Sequence, residues 1–153
     1  MKTPIEKSVT VPLTPTEAFA LFTENMDTWW PSDSHSVSAQ KKVSLKNITF
    51  PKHVGEDIVE EDETGETHIW GSIIAYDPGK YLAFHWHPGR PADQATVVTV
   101  TFTATADGTR CDLTHGGFDI LGPAADAVST SYLHGWDLVL GCYCAAAPAH
   151  TYA

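Results

Sequence analysis

The sequence predicts an α+β domain in which a curved antiparallel sheet is covered by one long C-terminal helix. From residue 46 to residue 118 the chain shows period-two alternation in segments joined by short turns at 63–66, 77–79 and 106–108. Such short connections join neighbouring strands in antiparallel order. After Gly122-Pro123 the apolar residues recur every three or four positions, which is typical of a helix packed on the sheet. All 153 residues, 1–153, are expected to form one domain.

The elements before the sheet are predicted to be one strand and two short helices. Residues 5–11 alternate like a half-buried strand. Thr14 is placed to cap a helix that begins at Pro15, and Glu17 completes a capping box with Thr14. Pro31 prevents the aromatic and polar stretch 24–38 from forming one continuous helix.

Six further strands and a helix account for the remainder of the chain. The acidic run from Glu56 to Glu66 is expected to be a solvated hairpin. The helix is predicted to begin between Ala124 and Ser131. The predicted strands are 46–50, 55–62, 67–76, 81–87, 96–105 and 109–118, and the apolar face of the helix comprises Leu133, Trp136, Leu140 and Tyr143.

Charge and composition argue against several kinds of partner. The formal net charge is −10 and basic residues form no patch, which disfavours nucleic acid and anionic membrane surfaces. The N-terminus has no apolar signal-peptide region, and no apolar run reaches the ~20 residues that cross a bilayer. The three cysteines, Cys111, Cys142 and Cys144, form no disulfide framework. These features predict a cytoplasmic protein without membrane insertion.

Because successive side chains of a strand point to opposite faces, the alternation assigns each residue to one of the two faces of the sheet. His85 and His87 fall on the outer face, where spacing fixes no third ligand, so we predict that no metal binds there. The prolines of 88–91 end this strand because they remove backbone donors. The residues predicted to face the helix are Leu82, Phe84, Trp86, Val98, Val100, Phe102, Cys111, Leu113 and His115.

His115 is the histidine of these strands that is predicted to point inward. It has three interpretations: a hydrogen-bonded core residue, a contact for a ligand, or a catalytic base. The sequence contains no Gly-x-Ser-x-Gly nucleophile motif, no His-Glu-x-x-His and no phosphate-binding loop. No cofactor is therefore expected, and an enzymatic role is the less favoured hypothesis.

The five tryptophans favour a cavity between sheet and helix. An indole offers a large apolar surface and one N–H, which suits a pocket with few polar anchors. The alternative is that these rings simply fill the space between the two layers. The five are Trp29, Trp30, Trp70, Trp86 and Trp136.

An ordered set of segments resembles the Hsp90 ATPase activator homologue-like proteins, a branch of the START-type or SRPBCC superfamily. The resemblance covers nearly the whole chain, and the set is specific although no single segment is diagnostic. The segments are FT…WWPSDSHSVS (22–38), WGSIIAYDP (70–78), LAFHWHPGRP (82–91), ATVVTVTFT (95–103), GTRCDLTHGGF (108–118) and SYLHGWDLVLG (131–141).

The resemblance implies a helix-grip fold with a cavity between sheet and helix that takes up hydrophobic molecules. The leading hypothesis is therefore a small-molecule binding protein. One alternative is a co-chaperone or other protein-interaction module, and another is a cavity enzyme with His115 as acid or base. The expected ligand-binding residues are Trp29, Trp30 and His35 near the entrance, and Trp70, Phe84, Trp86, Phe102, Leu113, His115, Tyr132 and Trp136 further in.

Overall fold

A seven-stranded antiparallel sheet forms one layer of the computed structural model, which describes residues 3–147. Along the sheet the strands follow the order β1-β7-β6-β5-β4-β3-β2, so β1 closes onto the last strand of the chain. Register shifts in β2, β3 and β4 mark bulges, which bend a sheet. The strands are β1 (Ile5–Val11), β2 (Leu45–Thr49), β3 (Asp57–Asp62), β4 (Thr67–Asp77), β5 (Tyr81–Trp86), β6 (Thr96–Thr105) and β7 (Gly108–Gly116).

Three α-helices lie with this sheet: α1 (Pro15–Phe22), α2 (Val37–Gln40) and α3 (Ala125–Ala146). The predicted fold is thus confirmed, with two short helices after β1 and a long helix that begins inside the predicted window. The capping box is present, since the Glu17 amide donates to Thr14 Oγ1 at 3.2 Å and the Thr14 amide donates to Glu17 Oε1 at 3.0 Å. Short 3-10 turns occur at Met26–Thr28, Ala92–Gln94 and Phe118–Ala124.

Helix α3 packs on the sheet along a stripe that includes Trp136, Leu140 and Tyr143. Leu133 was expected on this stripe and is instead 40% exposed, because the stripe passes through Ser129 and Trp136. Within residues 3–147, none of the helices combines the length and apolar character needed to cross a bilayer.

Helix α1 fills one end of the space between sheet and α3. Its Phe19 ring lies 5.2 Å from the Phe102 ring, and its Phe22 ring lies 5.4 Å from the Tyr143 ring. The Tyr143 hydroxyl donates to the Ala18 carbonyl at 2.7 Å, which fixes α1 to α3. The space left for a ligand is therefore restricted to the opposite end, beside the N-terminal half of α3.

Candidate functional site

A cleft of about 440 Å³ opens between α3 and the segment that runs from Trp30 to Gln40. This volume lies within the range of small-molecule sites, roughly 300–1,000 Å³. Trp86, the last residue of β5, and Pro88, which follows the strand, line the cleft on its sheet side. The cleft is lined by Trp30, Ser34, His35, Ser36, Gln40, Trp86, Pro88, Ala127, Val128, Ser131, Tyr132, Gly135, Trp136 and Val139.

Five of the eleven predicted ligand-binding residues line this cleft: Trp30, His35, Trp86, Tyr132 and Trp136. The other six are Trp29, Trp70, Phe84, Phe102, Leu113 and His115, and all of them are buried core residues outside the lining.

Four of these six residues are separated from the cleft by contacts with other aromatic side chains. Phe102 packs on the aromatic rings of α1, as described above, and Phe84 is covered by Phe50, with ring centroids 5.5 Å apart. Trp29 packs on Tyr143 at 5.2 Å, away from the cleft. Trp70 lies behind Trp30 at 5.0 Å. Strand alternation places Phe84 and Phe102 on the inner face of the sheet, where Phe50 and α1 cover them, and Trp29, expected near the entrance, is instead packed in the core.

Three indole rings form one wall of the cleft. The Trp86 centroid lies 5.9 Å from both Trp30 and Trp136, and Trp30 and Trp136 are 6.3 Å apart. These separations are those of favourable aromatic contacts, at ~4.5–7 Å. The wall is therefore a continuous aromatic surface.

The indole N–H groups divide into four with a protein acceptor and one without. Trp29 donates to the Leu21 carbonyl at 2.7 Å, and Trp30 donates to the His35 carbonyl at 2.6 Å. Trp70 donates to Glu60 at 2.7 Å, and Trp136 donates to His115 Nδ1 at 2.9 Å. Among the buried side chains that the structure describes, Nε1 of Trp86 is the polar atom left without a hydrogen bond. Trp86 is 2% exposed, so this donor carries a desolvation cost unless a ligand accepts from it.

His115 lies behind this wall and uses both ring nitrogens within the protein. Because Nδ1 accepts from Trp136, the proton is on Nε2, which donates to Thr96 Oγ1 at 2.6 Å. The Thr96 hydroxyl then donates to the Trp86 carbonyl at 3.1 Å. This chain of hydrogen bonds joins β7, β6, β5 and α3.

Burial, reinforced by the positive charge of Arg90, lowers the pKa of His115 to about 3. The imidazole is therefore neutral at physiological pH and has no nitrogen available to a ligand. Of the three interpretations of this residue, the hydrogen-bonded core histidine is the one that the structure supports.

Tyr132 lines one end of the cleft, and Arg90 contacts it from outside the lining. The guanidinium Nη2 of Arg90 donates to the Tyr132 hydroxyl oxygen at 3.1 Å, and its central carbon lies 5.8 Å from the centre of the Tyr132 ring. Burial raises the pKa of Tyr132, an effect that Arg90 and the nearby Trp86 indole partly oppose. Tyr132 thus keeps its proton and remains able to donate it.

On the side of the cleft formed by residues 30–40, Ser34 and His35 are in contact. The Ser34 hydroxyl lies 2.7 Å from Nδ1 of His35. The other edge of the His35 ring faces α3, where a β-carbon at Gly135 would lie 3.7 Å from its Cδ2 and Nε2 atoms. His35 is therefore the histidine positioned at the cleft.

Glu60 fixes residues 37 and 38 to the sheet, and the sequence did not lead us to predict this role. Its carboxylate is 0% exposed, and it accepts from the Val37 amide at 2.9 Å, the Ser38 amide at 2.6 Å and the Ser38 hydroxyl, besides the Trp70 indole. The expectation that run 56–66 is a solvated hairpin is wrong at Glu60 and at Asp62, which is 1% exposed. Period two along β3 places Glu60 on the buried face of Ile58, which was the available signal.

The sequence profile of the activator of Hsp90 ATPase homolog 1-like protein family matches residues 12–140. The chain belongs to this family. No curated protein is significantly similar to this family member. The resemblance inferred from the sequence segments is thereby confirmed.

Solved structures with the same fold include three that bear on this member of the family. A protein from Nitrosomonas europaea is 15% identical with a TM-score of 0.69, and the match covers 97% of this chain and 96% of that one. The Aha1 protein from Colwellia psychrerythraea, solved as a dimer in solution, is 14% identical with a TM-score of 0.65 over 95% and 96% of the two chains. An anthrahydroquino-γ-pyrone synthase is 28% identical with a TM-score of 0.59 over 83% and 84%.

On the outer face of the sheet this family member carries the His85 and His87 pair. His85 is exposed, whereas His87 is 7% exposed because loop 88–95 covers it. Nδ1 of His87 donates to the Arg90 carbonyl at 3.0 Å, so the residue anchors this loop. Neither histidine belongs to a metal-type cluster among residues 3–147.

The turn between β3 and β4 is organised by Asp62. Its carboxylate accepts from the Thr64 hydroxyl at 2.5 Å and the Thr64 amide at 2.9 Å, and it contacts Nε2 of His68 at 3.1 Å. These hydrogen bonds, led by that of the Thr64 side chain, lower the pKa of Asp62 to about 2. Asp62, Glu66 and His68 also have ligand-type atoms within 4.8 Å of one another, but the Asp62 oxygens are already satisfied by the turn.

Proposed function

We propose that this family member binds a flat aromatic small molecule in the cleft between α3 and residues 30–40. The observation that carries the proposal is the wall of Trp30, Trp86 and Trp136, in which one buried indole N–H has no protein acceptor. A flat ring system fits such a wall because each added aromatic contact contributes about 0.5–1.5 kcal/mol beyond simple burial. An acceptor on the ligand would also satisfy Trp86.

The core arrangement supports binding at this one end. The volume of about 440 Å³ is suited to a ligand of a few fused rings. The rings around Phe102 fill the α1 end of the space, so the ligand enters beside Tyr132 and Gly135.

Titration with anthracene-2-carboxylate tests the proposal. We expect saturable one-to-one quenching of tryptophan fluorescence, because the ligand contacts three of the five indoles. Gly135→Leu places a side chain in the cleft and should abolish the quenching. Gly141→Leu, on the same helix with open space around its α-carbon, is the matched control. Equal binding by the two variants would place the ligand elsewhere.

A second candidate function is conversion of the bound ligand, as in a cyclase. It has support from the 28% identity to an anthrahydroquino-γ-pyrone synthase and from the Ser34–His35 contact at the cleft. His35, rather than His115, would act as the acid or base, since His115 is neutral and enclosed. The test is a mass-spectrometric assay with anthrahydroquinone precursors of γ-pyrones. Turnover should be lost in His35→Gln while anthracene-2-carboxylate still binds, and unchanged turnover in that variant would exclude this role.

A chaperone as protein partner, the alternative suggested by the family name, stays a prediction. The cleft supports the small-molecule function in preference to it.

A further inference from the structure

The Tyr132 end of the cleft brings hydrogen-bond donors together without a carboxylate or carbonyl to receive them. Nε1 of Trp86 makes no hydrogen bond of normal geometry within the described residues, and this indole lies close enough to the Tyr132 hydroxyl to oppose the rise in its pKa. Trp86 and Tyr132 both line the cleft. The two donor groups therefore lie side by side at the same end of the cleft.

The hydrogen bond from Arg90 determines whether the Tyr132 hydroxyl can donate to a ligand. Arg90 can only donate, so the Tyr132 oxygen is the acceptor in their 3.1 Å hydrogen bond and its own proton is free to be donated. Within residues 3–147 no acceptor takes that proton in a hydrogen bond. Burial holds the pKa of Tyr132 above its usual range, which keeps the group a donor.

The guanidinium of Arg90 places one positive charge next to the Tyr132 hydroxyl. In the described part of the chain Arg90 forms no ion pair with a carboxylate, although the protein carries a net charge of −10. Its field extends to His115, whose pKa it lowers. Besides Tyr132, the guanidinium donates to the Gln94 carbonyl at 3.3 Å, which holds it at the end of the cleft.

We propose that this end of the cleft binds an ionised oxygen of the ligand, a carboxylate or a phenolate, through the N–H of Trp86 and the hydroxyl of Tyr132. Arg90 is a positioning residue that orients and polarises the Tyr132 hydroxyl. The inference rests on the proposed function and narrows it to flat aromatic acids. Donors backed by a cation select for an anionic acceptor because hydrogen bonds to charged groups are the stronger ones.

The test compares anthracene-2-carboxylate with anthracene-2-carboxamide, which has the same rings and no charge. The wild-type protein should bind the carboxylate at least about tenfold more tightly. Tyr132→Phe and Arg90→Gln should each bring the two affinities to within about twofold by weakening only carboxylate binding. Arg110→Gln, which removes an arginine from the exposed end of β7, should keep the wild-type preference.

The indole N–H resonances give a second readout that does not depend on these variants. The Trp86 resonance, assigned by its loss in Trp86→Phe, should move downfield with the carboxylate and much less with the carboxamide. Equal affinities for the two probes in the wild-type protein would overturn the inference while leaving the cleft as a binding site. Absence of binding by both probes would overturn the proposed function and the inference together.

Discussion

Substitution of Gly135 should change the stability of α3 and the ligand affinity of the cleft in opposite directions. It lies within the helix and faces the cleft, where a β-carbon would meet the His35 ring at 3.7 Å, an ordinary van der Waals distance. Gly141 lies about 1.7 turns further along the helix, and a β-carbon there would meet open space. Replacing a helical glycine by alanine stabilises a helix by about 1 kcal/mol. Both substitutions should therefore raise stability without strain.

Their effects on binding should differ. For a domain of this size a gain of about 1 kcal/mol raises the melting temperature by roughly 2–4 °C. In Gly135→Ala the added methyl group occupies space between α3 and His35 that the ligand would otherwise fill. Overpacking of this kind costs about 1–3 kcal/mol. Affinity for anthracene-2-carboxylate should then fall by about 5-fold to 150-fold.

Differential scanning calorimetry and fluorescence titration measure the two effects on the same samples. Gly141→Ala should match Gly135→Ala in melting temperature and match the wild-type protein in affinity. Equal affinities in the two variants would refute the reasoning, because they would place the ligand away from the Gly135 face of α3. A lower melting temperature for Gly135→Ala alone would refute the packing estimate at His35.

Three further predictions concern groups that maintain the site. Glu60→Gln should lower the free energy of unfolding by about 3 kcal/mol or more in urea titrations, with Glu56→Gln nearly silent, since each hydrogen bond to a buried charge contributes about 1.5–3 kcal/mol. The Asp62 carboxylate has a lowered pKa, so its stabilisation is present above the ordinary value near 3.9 and is lost as pH falls through about 2. The stability difference between wild type and Asp62→Asn should therefore shrink over that window, and a constant difference would contradict the assignment. The ¹⁵N resonances of His115 should show the Nε2–H tautomer and no titration between pH 8 and pH 5, whereas a midpoint near 6.5 would contradict its neutral, enclosed state.

The fold was predictable because its signals are local and repeated. Turn residues and period-two strands specify an antiparallel sheet, and the capping box at Thr14 and Glu17 marks the start of α1 before any tertiary contact is known. The change of period after Pro123 likewise located α3. These features depend on residues a few positions apart, which a sequence displays directly.

The site was predictable only in part because its limits depend on contacts between distant segments. Phe102 and Leu113 face inward as expected, yet α1 occupies the space next to Phe102 and removes it from the cleft. Glu60 anchors residues 37 and 38, more than 20 positions away, through hydrogen bonds that no local pattern indicates. The alternation along a strand predicts which side of the sheet a residue occupies. Packing between distant segments decides whether that residue borders the cleft.

The anchored indoles explain why the cleft stays open. Trp30 is held by the His35 carbonyl, Trp70 by Glu60 and Trp136 by His115, so each ring around Trp86 is fixed by a hydrogen bond within the protein. A ring that rotated inward to fill the space would break a buried hydrogen bond, at a cost of about 1–3 kcal/mol. The wall of the cleft is consequently fixed by the fold, so the proposed binding would cost no ordering of these rings. The same hydrogen bonds use the acceptors next to Trp86, which leaves its N–H for the ligand that we propose.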